Sequence, residues 1–249
     1  MTVLLVGVGA DEEHLRPAPS INSDGVYEYI PIPETWPTSE DRTYGNLSLQ
    51  YRDGVASDII DRIRPKGKGD DWITDRDRIE SHPIHYDPDF EAKTFGDKRG
   101  DGGTGTTLVR ELTSGDILAF YTGLRDEEGN LNRYIYGYFT VDSVNDLSQY
   151  SGDEYHEKIR MFPDNAHSKR LEGKGEPKHD DVVIIDGKDP SKRLEKPHKI
   201  SKRLDERPWY QLTSEFVEEF NVTNGQVAVS RKPVLTLDIP NDEFVSKIR

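Results

Sequence analysis

Four short apolar runs constrain this chain more than any other feature: TVLLVGVG at residues 2–9, GDILAFYTGL at 115–124, RYIYGYFTV at 133–141 and DVVIID at 181–186. Each has the length of a strand, and none approaches the roughly 20 residues of a bilayer-spanning helix. The first and last runs are continuously apolar, the mark of strands covered on both faces. GDILAFYTGL and RYIYGYFTV flank RDEEGNLN, whose Asn, Gly and acidic residues suit a hairpin connection. The chain of 249 residues as a whole is polar, with 32% charged residues against 33% hydrophobic. The recurring apolar runs still set the chain apart from a disordered one.

Other segments fill in a mixed picture. GVYEYIPIPE reads as extended, and Pro31 and Pro33, lacking amide donors, put it at a sheet edge or in an extended loop. VASDIIDRIRP places Val55, Ile59, Ile60 and Ile63 at helical spacing, stopped by Pro65. LTSEFVEEFNV does the same with Leu212, Phe216, Val217 and Phe220. QVAVS and PVLTLDI read as two short final strands, and GKDP closes the DVVIID strand. About 65–106 the chain is rich in Gly and Asp and weakly periodic, which predicts a long polar loop. The expected fold is a single α+β domain over 1–249, strand-rich, with no internal boundary and no repeat of fixed period. GVGAD lacks the third glycine and the following helix of a dinucleotide fingerprint.

The absence of cysteine excludes disulfides, thiolate catalysis and Cys-based zinc sites. No basic region followed by a long apolar stretch opens the chain, so a cytoplasmic location is expected. The net charge of −14 comes from acids spread along the whole length. That pattern fits adaptation to high salt better than an acidic tail built to repel polyanions.

The densest chemistry-bearing stretch is HPIHYDPDF, with His82, His85, Asp87 and Asp89 in eight positions. In an extended segment His85, Asp87 and Asp89 project to one side. Such a row suits a divalent metal ion, or a general base beside an orienting carboxylate. It equally suits an Asp-Pro turn in which Asp87 caps its own backbone, and the sequence names no cofactor. His14, His156, His167, His179 and His198 each stand alone and read as surface or hydrogen-bonded histidines. Ser20, Asn22 and Asp24 precede Gly25 in either an Asx-type turn or a polar loop at a strand end. Tyr134, Tyr136 and Tyr138 would share one strand face, which is either core or, with Phe120 and Tyr121, a platform on which bases stack.

The tetrapeptide SKRL occurs three times, at 168–171, 191–194 and 201–204. In a chain this acidic, the basic segment at about 167–207 reads either as a locally balanced surface or as phosphate contacts. The contacts would be Lys169, Arg170, Lys192, Arg193, Lys202 and Arg203, with a serine hydroxyl beside each pair. Tyr121 and Tyr136 are the aromatics that would line a base pocket.

PAPSINSDGVYEYIPIPE resembles a P-S-P-I-x-x-D-G signature followed by P-I-P. HYDPDF resembles H-x-D-P-D-[LF], and GDILAFYTGL with YIYGYFTV resembles G-D-x-x-x-F-[FY] before I-[FY]-G-[YW]. In this order the three blocks resemble the nucleotide-modification-associated domain family, type 3, over roughly Met1 to Val144, and NAHSKRL is a candidate later block. The resemblance implies a role in modifying nucleotides or bases in DNA, with nucleic acid or nucleotide as partner. Asp24, His85, Asp87 and Asp89 match its polar signatures. Its opening block carries a basic residue before Gly-x-Asp, whereas VGVGAD supplies only Asp11. The hairpin also resembles the barrel of PUA-like and EVE-like domains, which implies the alternative of a non-catalytic reader of modified bases.

Overall fold

The computed structural model describes residues 1–66, 71–98, 104–172, 182–203, 210–222, 228–229 and 234–248. The first apolar run forms β1 (Val3–Gly7), with Val3, Leu4 and Leu5 sealed from solvent. The chain then builds a cover from β2 (Leu15–Arg16), β3 (Ile32–Pro33), β4 (Arg62–Ile63) and β5 (Ile84–His85). β2 pairs with β4 and β3 with β5, both antiparallel. Helix α1 (Arg76–Glu80) precedes β5, and Asp75 caps it by accepting from the Arg78 amide.

The helix expected from Val55 to Ile63 does not form. Ala56–Ile59 make a single 3-10 turn, Ile60 is extended, and Ile63 exchanges backbone hydrogen bonds with Ile73. Three β-branched residues at 59, 60 and 63 favour that outcome, and Ile60 and Ile63 pack with Ala10, Leu15, Tyr44 and Ile84. The stretch 65–106 is no bare loop. Its described residues carry α1, β5, β6 (Thr94–Lys98) and the start of α2 (Thr104–Arg110).

The two central runs form the expected hairpin, β7 (Ile117–Arg125) and β8 (Leu131–Asp146), joined by a turn with Gly129 at φ +88°. Helices α3 (Gly152–Arg160) and α4 (Ala166–Glu172) follow. DVVIID begins β9 (Val182–Lys199), which does not stop at GKDP but continues through the basic segment. Its pairing with β8 slips between Tyr138 and Thr140, and two bonds bridge the strands there: the Thr140 amide donates to Ser191 Oγ, and the Thr140 hydroxyl to the Pro190 carbonyl. Then come β10 (Ser201–Arg203), β11 (Tyr210–Leu212), α5 (Ser214–Glu219), β12 (Ala228–Val229), β13 (Leu235–Leu237) and α6 (Asn241–Lys247).

The main sheet is curled and six-stranded, in the order β13-β1-β7-β8-β9-β6. Only β1 and β7 run parallel within it. One face packs Val3, Leu5, Ala119, Ile135 and Tyr138 against Phe216, Phe220 and Phe244 near α5 and α6. The other packs Leu4, Leu118, Phe120, Tyr136 and Phe139 against Tyr27, Tyr29, Phe95 and Val109. Covering both faces is what the continuous apolar runs require. The protein is thus a mixed α+β chain.

Tyr134, Tyr136 and Tyr138 do not share a face. The β8–β9 register slips between Ile135 and Gly137, which leaves Tyr134 and Tyr136 on one side and Tyr138 on the other. A side chain at Gly137 would strike the Phe90 ring, since its Cβ would lie 2.4 Å from Phe90 Cζ. The three SKRL copies also part company. The first lies on α4, the second on β9, and the third on β10 as far as Arg203, with Leu204 outside the described residues. No helix among the described residues is long and apolar enough to cross a membrane.

Candidate functional site

HPIHYDPDF converges with α4 on one buried centre. β5 delivers His85, the turn after it delivers Asp87, and α4 delivers His167, each less than a tenth exposed. His85 Nε2 lies 3.9 Å and His167 Nε2 3.6 Å from the same Asp87 oxygen, Oδ2. The two imidazoles meet edge to face, with centroids 4.8 Å apart. Gly96 on β6 makes the approach possible. A Cβ there would sit 2.4 Å from His167 Cδ2, and the Gly96 amide instead donates to Asp87 Oδ2 at 2.8 Å. Asn165 accepts from the His167 amide at 3.0 Å and donates to Thr94 Oγ1 at 3.4 Å, which ties the start of α4 to β6.

A ring of paired charges surrounds this centre. His85 Nδ1 lies 3.1 Å from Glu34 Oε2, and Arg170 Nε donates to the same oxygen at 2.7 Å. Glu34 Oε1 accepts from the amides of Thr35 and Trp36. Burial opposes a charge on Glu34, but the bonds from His85 and Arg170 outweigh it and hold the pKa at about 2. Farther out, Glu40 pairs with Arg42 and Lys169, and Arg42 reaches Asp89 at 3.2 Å. The Ser39 amide donates to the Lys169 carbonyl, which pins the segment carrying Glu34 and Glu40 to the end of α4.

Asp87 differs from all of these carboxylates. The one hydrogen bond to its carboxyl group among the described residues comes from the Gly96 amide, and Oδ1 is buried with no partner. Burial therefore pushes its pKa well above the usual carboxylate range. Burial also lowers His85, against the pull of Glu34, and lowers His167 further, helped by nearby positive groups. A His85 that donates from Nδ1 to Glu34 turns its Nε2 lone pair toward Asp87. Three donor groups thus face one another in a buried place. They can pass a proton between carboxyl and imidazole, or hold a cation.

The remaining expected site residues are dispersed. Asp89 turns away, accepting from the Glu91 and Ala92 amides and pairing with Arg42. Asp11 lies in a separate group, 3.0 Å from His14 Nδ1 and 4.0 Å from Arg133 Nη2. Asp24 is exposed in the turn that Asn22 organises by accepting from the Asp24 and Val26 amides. Lys169 and Arg170 are engaged with Glu40 and Glu34. Arg193 stacks over Phe90 and Tyr29 and donates to Gln50. Lys192, Lys202 and Arg203 are exposed, and Arg203 pairs with Glu12.

Both base-pocket aromatics are enclosed. Tyr136 stacks on Tyr29 with centroids 4.6 Å apart, and Tyr121 packs against Gly7. The Tyr29 hydroxyl donates to the Asp87 carbonyl at 2.7 Å, so this aromatic stack adjoins the centre.

His167 and Glu34 are the functional candidates that single-residue reading overlooks. The available signal is the spacing in NAHSKRL: His167 and Arg170, three apart, share a helical face. That face meets β5, whose partner β3 leads directly into Glu34.

The fold and site together define an α+β protein with a buried histidine–aspartate–histidine centre. Over residues 2–247 the chain matches the Nucleotide modification associated domain 3 family (Nmad3), and it belongs to that family. Comparison with curated proteins and with solved structures gave no match. The family name associates the chain with nucleotide modification.

Proposed function

We propose that this chain modifies a nucleotide or a nucleic-acid base, with His85, Asp87 and His167 at the reacting centre. The observation that carries this reading is the state of Asp87. A carboxyl group buried with one oxygen unpartnered is costly to keep. Groups with pKa values displaced by burial, gathered at one point, concentrate at functional sites, which supports this reading. The family name, which associates the chain with nucleotide modification, supports this choice of substrate class. Glu34 and Arg170 act as positioning residues, fixing the His85 ring from its far side.

In this reading Lys192, Lys202 and Arg203 are contacts for substrate phosphates. They lie on β9 and β10 at the surface of a chain that otherwise repels polyanions. The test is mass spectrometry of nucleosides digested from cellular DNA and RNA, with and without the gene. Loss of one nucleoside on deletion is the expected result, and its mass difference names the transferred group. Pools unchanged by deletion sink the reading and leave a non-catalytic reader of modified bases as the account to test.

A further inference from the structure

We infer that His85, Asp87 and His167 bind one divalent first-row transition-metal ion. This deepens the reading of the same centre as the reacting one. The three donor atoms lie within 4.8 Å of one another. Donors held about 2.0–2.2 Å from a tetrahedral ion stand about 3.4 Å apart. The separations of 3.6 and 3.9 Å from Asp87 Oδ2 are near that value, and across the whole set, which spans up to 4.8 Å, the donors close by at most about 1.4 Å on a bound ion.

Three further features fit a cation and fit a simple core cluster poorly. First, Asp87 has no Lys or Arg ion pair among the described residues, although cations abound nearby. Arg170 pairs with Glu34, Lys169 with Glu40 and Arg42 with Asp89. Among the carboxylates of the described residues, only Asp87 has a buried oxygen, Oδ1, without a hydrogen-bond partner. A divalent ion would supply the missing positive charge.

Second, His85 is held from behind by a carboxylate. A metal-bound imidazole commonly donates its other N–H to such a group, which fixes the tautomer and raises ligand basicity. Glu34 does this through Nδ1 and is itself fixed by Arg170 and two backbone amides. Third, the donors come from two distant parts of the chain, β5 with its following turn and α4. Gly96 clears the space His167 needs.

Two imidazoles and one carboxylate suit zinc, iron, cobalt or nickel; magnesium and calcium prefer all-oxygen sites. Three protein donors leave a coordination position for water or a substrate atom.

The test is to load the purified full-length chain with Zn²⁺ or Co²⁺, dialyse, and count the bound metal. One equivalent per chain is expected, with a visible absorption band for Co²⁺ and a rise in Tm with Zn²⁺. Asp87→Asn and His167→Ala should bind less than about a tenth of that. Glu34→Gln keeps all three ligands and should bind about 10–100-fold more weakly. It serves as the decisive variant if a ligand substitution fails to fold.

A wild-type chain that retains no stoichiometric metal overturns the inference. So does equal binding by wild type and all folded variants. If no metal binds yet deletion still removes a nucleoside, the metal site falls and the modification reading stands. If metal binds and no nucleoside changes, the reverse holds.

Discussion

Asp87 and Asp116 are both buried carboxylates beside the main sheet, and they are treated in opposite ways. Asp116 sits in the turn before β7 and accepts from the Thr2 amide, the Thr113 amide and the Thr113 hydroxyl, at 2.6–2.9 Å. Burial works against its charge, but those donors outweigh it and lower its pKa. Asp87 accepts one amide and leaves an oxygen bare, so burial prevails and its pKa rises. One carboxylate fastens the N-terminus to the sheet. The other stabilises little and faces two imidazoles. A fold able to satisfy Asp116 fully has the means to satisfy Asp87, and its failure to do so is what supports the proposal of a reacting centre there.

Substitutions sharpen this contrast. The largest effect should come from Asp87→Asn or His85→Ala, each lowering formation of the modified nucleoside by about a hundredfold or more. Asp87→Asn should leave stability within about 1 kcal/mol, read by denaturant unfolding, because a single hydrogen bond is at stake. Gly96→Ala comes next. Its methyl group would be driven into the His167 ring, costing about 1–3 kcal/mol and displacing that ring. Both stability and nucleoside formation should fall, whereas Asp87→Asn moves only the second.

Asp116→Asn should do the opposite, costing about 1–2 kcal/mol with nucleoside formation unchanged at temperatures well below the transition. Each kcal/mol corresponds to a fall of about 2–4 °C in Tm. The pH dependence has a definite sign. Because the folded pKa of Asp116 is lowered, its contribution is fully present above the unfolded carboxyl value of about 3.9. It is lost as pH falls through the folded value. Wild type and Asp116→Asn should therefore converge in stability in acid.

The smallest structural effect belongs to Lys192→Ala with Lys202→Ala, within about 0.5 kcal/mol of wild type. If these are phosphate contacts, the slope of nucleic-acid affinity against salt should fall by about 1–2. An unchanged slope removes them from the substrate path.

Much of the frame was legible from local pattern. The apolar runs mark β1, β7, β8 and the start of β9, RDEEGNLN marks the hairpin, and Phe216 and Phe220 mark α5. The misreadings have physical causes. Val55 to Ile63 has helical spacing, but Ile63 finds a partner in Ile73, and pairing outweighs periodicity. Tyr138 leaves the face of Tyr134 and Tyr136 because of a register slip that composition cannot announce.

At the centre, His85 and Asp87 were legible because they are neighbours in sequence. Glu34 lies 51 residues from His85 and 136 from Arg170, and only the β3–β5 pairing and the docking of α4 on β6 join them. His167, one histidine among several scattered ones, gained meaning only once α4 was placed.

The central claim is that modification depends on the unsatisfied carboxyl of Asp87. The most direct measurement compares nucleosides from deletion cells restored with wild type or with the Asp87→Asn chain, at equal protein levels. The account predicts that wild type restores the missing nucleoside and that Asp87→Asn, though folded, does not. Full restoration by Asp87→Asn would contradict it and return Asp87 to the role of a buried turn residue.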